Sequence, residues 1–168
     1  LSGLFEASGD RDRRRIRSAL FLGVIMDPFR AAAPKAGDFL IRNFLGADRE
    51  RGFIAIGDRV REHEKRRLHV RDAVTAKEDL ELLLSPQSFE RPPLGTLGFA
   101  CNGRGAGLYG RPDGDISILR EALGESITAA GMFCAGEFGP VGERNFLHGN
   151  TASIALIRAR ETAGTAAG

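Results

Sequence analysis

Two glycine-rich segments hold the residue types that can do chemistry. The first, CNGRGAGLYGRPDGD (101–115), sets Cys101, Asn102 and Arg104 among Gly103, Gly105 and further glycines. The second, AGEFGPVGERNFLHGNT (135–151), sets Glu137 between Gly136 and Gly139 and follows it with Asn145, His148, Asn150 and Thr151. Glycine turns let backbone N–H groups approach a bound molecule, and the polar side chains add donors and acceptors nearby. The same turns also have an ordinary reading as solvent-exposed bends.

Cys101 and Cys134 each close an apolar run just before a glycine turn. If the two strands are neighbours, both thiols and the Glu137 carboxylate face one cleft. A Cys–His pair with a carboxylate or Asn102 as its orienter is the recipe for a thiol nucleophile, so a thiol-dependent enzyme built on Cys101 and His148 is the alternative to a binding module. The competing reading is that both thiols are buried small hydrophobes among Phe99, Ala100, Met132 and Phe133. No catalytic set is assigned on these residues. No metal site is expected either, because nothing has the paired ligand spacing of a zinc centre.

Two tempting motifs fail on geometry. Gly105, Gly107 and Gly110 match G-x-G-x-x-G, but Arg111, Pro112 and Gly114 intervene before the next helical pattern, where a dinucleotide site needs the helix to open at the last glycine. No G-K-S/T phosphate loop occurs. His63 and His69 are six positions apart, not the four that a zincin helix requires. No cofactor is therefore expected.

The elements that position these loops follow from periodicity and breakers. Residues 8–17 read as a charged helix with Ser8 or Asp10 as cap, its arginines interleaved with Asp10 and Asp12 and hence a solvated face. The apolar run 18–27 reads as a buried strand and 28–37 as a loop. Segments 38–48, 52–60 and 66–72 read as strands joined by turns too short for crossover helices, which predicts an antiparallel meander. TAKEDLELLL (75–84) has helical spacing and a capping-box pattern from Thr75 to Glu78. Residues 94–101 form a strand, 115–124 a helix capped by Asp115 and closed by Gly124, 127–142 a strand with a glycine-rich turn, and 148–160 a last strand. The order predicts an α+β domain with a mixed, largely antiparallel sheet and helices packed on it.

Composition narrows the partners. With 168 residues, 42% of them hydrophobic, the chain can bury a real core, and a net charge of +2 is too small for a strong field toward nucleic acid or an anionic membrane. Two cysteines are too few for a disulfide-stapled secreted fold, and no signal peptide or membrane-length apolar run is present, so a cytoplasmic protein with reduced thiols is expected. The chain starts at Leu1 rather than Met, as an excerpt of something longer would.

The segments LGFACNGRGAGLYGRPDGDISILREALG and GMFCAGEFGPVGERNFLHGNTASIAL closely resemble the C-terminal FIST domain, a sensory module of bacterial signal-transduction proteins that some F-box proteins share. GDFLIRNFLGAD, GFIAIGDRV and LHVRDA extend the resemblance from about Leu20 to about Ile157. It implies the FIST domain at 20–158; the charged helical stretch before it makes 1–19 a helical lead-in, and the small-residue C-terminus reads as a disordered tail at 159–168. The resemblance also implies a small-molecule ligand, proposed in the family to be an amino acid or related metabolite, with a protein-interaction domain, as the F-box relatives suggest, as a further alternative beside the thiol-dependent enzyme. An N-terminal FIST domain would precede it in the same longer chain, and the output partner would be a signalling protein. The motif positions carried over are Cys101, Asn102, Gly103, Arg104 and Gly105 in the first loop, Gly136, Glu137, Gly139 and Pro140 in the second, and Asn145, His148, Gly149 and Thr151 before the last strand. Relatives often carry an aromatic where this chain has Asn150. Within that frame Arg104 offers a planar fork for a carboxylate, Glu137 an anion for an ammonium, and an α-amino acid presents both charges.

Overall fold

A computed structural model describes residues 2–27, 34–48, 50–141 and 143–160. The loop reading of 28–33 and the tail beyond Arg160 lie outside the described residues. The fold is α+β, and the chain divides into two compact units, residues 1–76 with 138–150 and residues 77–137 with 151–168.

In the first unit, two short helices, α1 (Ser2–Ala7) and α2 (Asp10–Ala19), lead into β1 (Leu20–Ile25). Gly9 stands at the N-cap of α2 with no side-chain cap, so the cap expected from Ser8 or Asp10 does not form; Asp10 and Asp12 instead complement the positive end of the helix. The α2 arginines are largely engaged within the chain. Arg13 and Arg17 lie over the Phe5 ring, and Arg15 pairs with Asp72 at 3.2 Å.

The strands β2 (Phe39–Asp48), β3 (Phe53–Ile56) and β4 (Arg66–Val70) join β1 in a sheet of order β3-β2-β1-β4, antiparallel throughout. The expected meander holds only for β2 and β3. β4 leaves β3 and pairs with the other edge of β1, because β1 is the apolar strand, with Val24 and Ile25 buried, and a buried strand must hydrogen-bond along both edges. The hairpin β7 (Glu137–Val141) and β8 (Arg144–His148) falls where the sequence reads as a glycine-rich turn. Arg42 Nη1 donates to the Leu147 carbonyl at 3.1 Å and ties that hairpin to β2.

The helix α3 (Ala73–Leu84) starts two residues earlier than Thr75 would dictate. Asp72 is its cap: its carboxylate accepts from the Val74 N–H at 3.0 Å, the Thr75 N–H at 3.3 Å and the Thr75 hydroxyl at 3.2 Å. Burial pushes the Asp72 carboxyl up, but the Thr75 and Val74 bonds and the Arg15 charge outweigh it and hold the group below its ordinary value.

The second unit is a three-stranded sheet of order β6-β5-β9, formed by β5 (Gly95–Cys101), β6 (Ala129–Cys134) and β9 (Ala152–Ile157). β5 and β6 run parallel and β5 and β9 antiparallel. The crossover between β5 and β6 carries α4 (Gly105–Tyr109) and α5 (Gly114–Leu123). Leu80 and Leu84 of α3 pack with Ile118, Leu119 and Ile127 as the core of this unit. Burial of each such side chain contributes about 1.5–3 kcal/mol. Among the described residues no helix is long and apolar enough to cross a membrane.

Candidate functional site

The parallel pairing of β5 with β6 sets the cysteines side by side in register, Cys101 opposite Cys134. Both are free thiols and half-buried. The chain leaves β5 through a backbone lock: Cys101 N–H donates to the Thr151 carbonyl and Asn102 N–H to the Cys134 carbonyl, each at 2.9 Å. Cys101 Sγ accepts from the Gly103 N–H at 3.5 Å, while His148 Nε2 lies 3.1 Å from the Gly139 carbonyl within the other unit.

Arg104 enters the structure in a role the sequence reading did not foresee. Its side chain is 8% exposed, and its Nε and Nη2 donate to the two Asp115 carboxylate oxygens at 2.8 and 2.6 Å. Tyr109 closes the triad, its hydroxyl accepting from Arg104 Nη2 and donating to Asp115 Oδ1, both at 2.7 Å. The planar fork reserved for a ligand carboxylate is thus taken by a carboxylate of the chain. Asp115, expected to cap α5, sits instead in its first turn, and Asp113 occupies the N-cap with φ 60° and no side-chain cap bond. Burial pushes Asp115 up, but the Arg104 and Tyr109 bonds and the Arg104 charge hold it low.

Burial and the Asp115 bond push the Tyr109 phenol up to about 12 against the opposing Arg104 charge. Tyr109 is the single tyrosine and the chain has no tryptophan, so tyrosinate absorbance reads this group alone. The expected alkaline midpoint is about 12 in the folded chain and about 10 in denaturant. The neutral phenol is the form the fold favours, so this stability is complete below the unfolded value and is lost as pH rises through the folded one. A folded midpoint near 10 would show that the triad is open to water.

Behind the triad lies a cavity of about 500 Å³, wholly within the second unit. Its floor is the sheet, where Thr96, Gly98 and Ala100 alternate along β5 beside Ala129 and Gly131 of β6 and Ala152 of β9. Ile116 and Leu119 of α5 wall one side, and Phe133 adds bulk at the end of the floor. The Phe133 ring overlies Gly105, whose φ of 43° is a left-handed conformation, and a Cβ there would stand 3.0 Å from the ring. Thr96 is 4% exposed and its hydroxyl has no hydrogen-bond partner among the described residues. Asp113 and Asp115 are the charged side chains on the lining.

Of the positions singled out in the sequence, only Gly105 lines this cavity. Cys101, Asn102, Gly103, Arg104, Gly136, Glu137 and Thr151 belong to the same unit; Gly139, Asn145 and His148 belong to the first. Asn102 and Asn145 are exposed, whereas Glu137 is 1% exposed and closed off from solvent. Asn150, with φ 64°, accepts from Arg71 Nη1 at 3.0 Å and donates to Asn43 Oδ1 at 3.1 Å, a structural brace in the first unit. Thr96, Gly98, Gly131 and Asp113 escaped the sequence reading. The signal was present: small residues recur at alternate positions of GTLGFA and AAGMFC, where the inner face of a strand ordinarily carries bulk. Among the described residues no group of His, Cys, Asp and Glu could hold a metal ion.

The sequence model of the family described as FIST C domain matches residues 2–140, a span that includes α1 and α2. An uncharacterized protein of Mycobacterium tuberculosis is 44% identical over 148 residues, covering 87% of this chain and 38% of that protein. An uncharacterized protein of Mycobacterium bovis is 41% identical over 159 residues, covering 94% of this chain and 41% of that protein. The chain therefore spans about two fifths of the length of these relatives. No solved structure matches.

Proposed function

Because the chain belongs to the FIST C domain family, a family of sensory and signal-transduction domains, we propose that it binds a small ligand in the cavity between β5-β6-β9 and α5. The observation that carries this reading is the Thr96 hydroxyl. A buried polar group without a partner costs on the order of 1–3 kcal/mol, and a bound molecule with a donor or acceptor at the floor removes that cost. The volume lies in the range of small-molecule sites, and an apolar lining with few polar groups is their usual chemistry.

The ligand is drawn from amino acids or related metabolites, entering with the apolar portion against the glycine floor. Arg104 acts here by bracing the mouth of the cavity through Asp115 and Tyr109, and the 101–105 loop supports the rim at Gly105. The companion FIST domain and a signalling partner are assigned to the rest of the longer protein.

Gly98→Val tests the pocket. Nothing lies within 4 Å of a Cβ at Gly98, so the larger side chain grows into the cavity while a β-branched residue suits the strand. A panel of amino acids, amines and keto acids should contain members that raise the melting temperature of the intact chain, by roughly 5–10 °C at 100-fold excess over Kd. The variant should melt near the parent and lose that response. A ligand that stabilises the variant and the parent equally binds elsewhere.

A further inference from the structure

The cavity's lining also bears on what kind of molecule it takes. Gly98 and Gly131 are register partners on adjacent strands, so its floor is bare backbone over the width of two strands. A planar ring can lie flat on such a floor, where a branched aliphatic chain would leave gaps. Phe133 at its edge, on the same strand face as Gly131, offers an aromatic contact that favours a ring further.

The charges select the head group. The lining contributes no cationic side chain, and the nearest guanidinium, Arg104, is held bidentate by Asp115. A carboxylate or phosphate would find no countercharge there and would meet two aspartates. Asp113 differs from Asp115. Its side chain is exposed, makes no hydrogen bond or ion pair among the described residues, and does not cap α5 although it stands at the N-cap. Its left-handed backbone, φ 60°, is one that asparagine and aspartate tolerate better than other side chains. It thus presents an uncommitted carboxylate at the cavity rim.

We propose that the ligand is an aromatic amine, its ring stacked on the Gly98–Gly131 floor and its ammonium at Asp113. This rests on the cavity being the ligand site. The Thr96 hydroxyl serves a polar atom on the ring.

Three probes with one ring separate the head groups: tryptamine, tryptophan and indole-3-acetate, titrated calorimetrically into the intact chain. Tryptamine should bind about tenfold more tightly than indole-3-acetate, the sum of an attraction gained and a repulsion avoided at a partly exposed site, with tryptophan between them. Asp113→Asn keeps the shape and the backbone preference, so it should fold as the parent does and narrow the tryptamine advantage to about twofold. Gly98→Val should abolish binding of all three. Indole-3-acetate binding as tightly as tryptamine, or an order unchanged by Asp113→Asn, overturns the amine assignment while leaving the cavity in place. Failure of all three probes, with other small molecules still lost on Gly98→Val, overturns the ring assignment alone. Binding of the probes undiminished by Gly98→Val overturns the cavity and the inference together.

Discussion

Arg104→Ala is expected to cost about 3 kcal/mol of stability, at the lower end of what removing one partner of a buried ion pair costs, because Asp115 keeps some contact with water. For a chain of this length that lowers the melting temperature by roughly 6–12 °C. The loss comes from the group left behind: Asp115 remains at the first turn of α5 without its two charge-assisted bonds. Tyr109→Phe removes two bonds, one accepted from Arg104 and one donated to Asp115, but leaves the ion pair intact, and should cost about 2 kcal/mol. Arg104→Lys should fall between, since an ammonium cannot span both carboxylate oxygens. Replacing the triad together, as Arg104→Met with Asp115→Leu and Tyr109→Phe, should cost less than Arg104→Ala alone, which is the sign of a coupled network.

The same pair sets an acid limit. Asp115 is held below its ordinary value in the fold, so its contribution is present above the unfolded value of about 3.9 and is lost as pH falls through the folded one. In Arg104→Ala that acid dependence should flatten. Urea denaturation of parent and variant at pH 7 and pH 3 measures both effects. A cost under about 0.5 kcal/mol at pH 7 would mean that the pair is screened as a surface bridge is.

The helices α2, α3 and α5 and most strands were legible because each carries its own period: the apolar runs at 20–25 and 95–101 and the leucines of α3 need no partner to be recognised, whereas α4 falls inside the segment that reads as a glycine turn and α1 carries no such signal. That the Cys101 and Cys134 strands are neighbours was only a condition in the sequence, raised by the two runs ending alike; the parallel pairing meets it. What escaped was decided by partners distant in sequence. β4 reads as the next strand of a meander, but the open edge of β1 takes it. Residues 137–148 read as a turn because glycine and proline dominate their first half, yet across the hairpin β7 and β8 satisfy one another. Arg104 reads as a ligand's fork until its distance to Asp115, eleven residues on, is known. A charged residue in a glycine loop looks available in sequence, and burial with an internal partner is what removes it.

Gly131→Ala is expected to cost about 3 kcal/mol, the upper part of the range for overpacking, although Gly131 itself is exposed and alanine adds one methyl. A Cβ at Gly131 would collide with the Gly98 carbonyl, and the next nearest atoms are also Gly98 backbone, its C at 2.9 Å and its N at 3.1 Å. No side chain can turn aside to make room. The strands must part, and the parallel ladder from Thr96–Ala129 to Cys101–Cys134 weakens with them. Gly98→Ala is the control, since the space over Gly98 is open and the substitution removes glycine's extra freedom from the unfolded chain. It should be neutral or stabilising by up to about 1 kcal/mol. Amide exchange locates the damage: in Gly131→Ala, protection should fall along β5 and β6 while the core helix α5 keeps more of its own. Equal stability of the two alanine variants would mean that the strands are not in the close approach from which the flat floor of the cavity is built, and the stacking of a ring upon it would lose its basis.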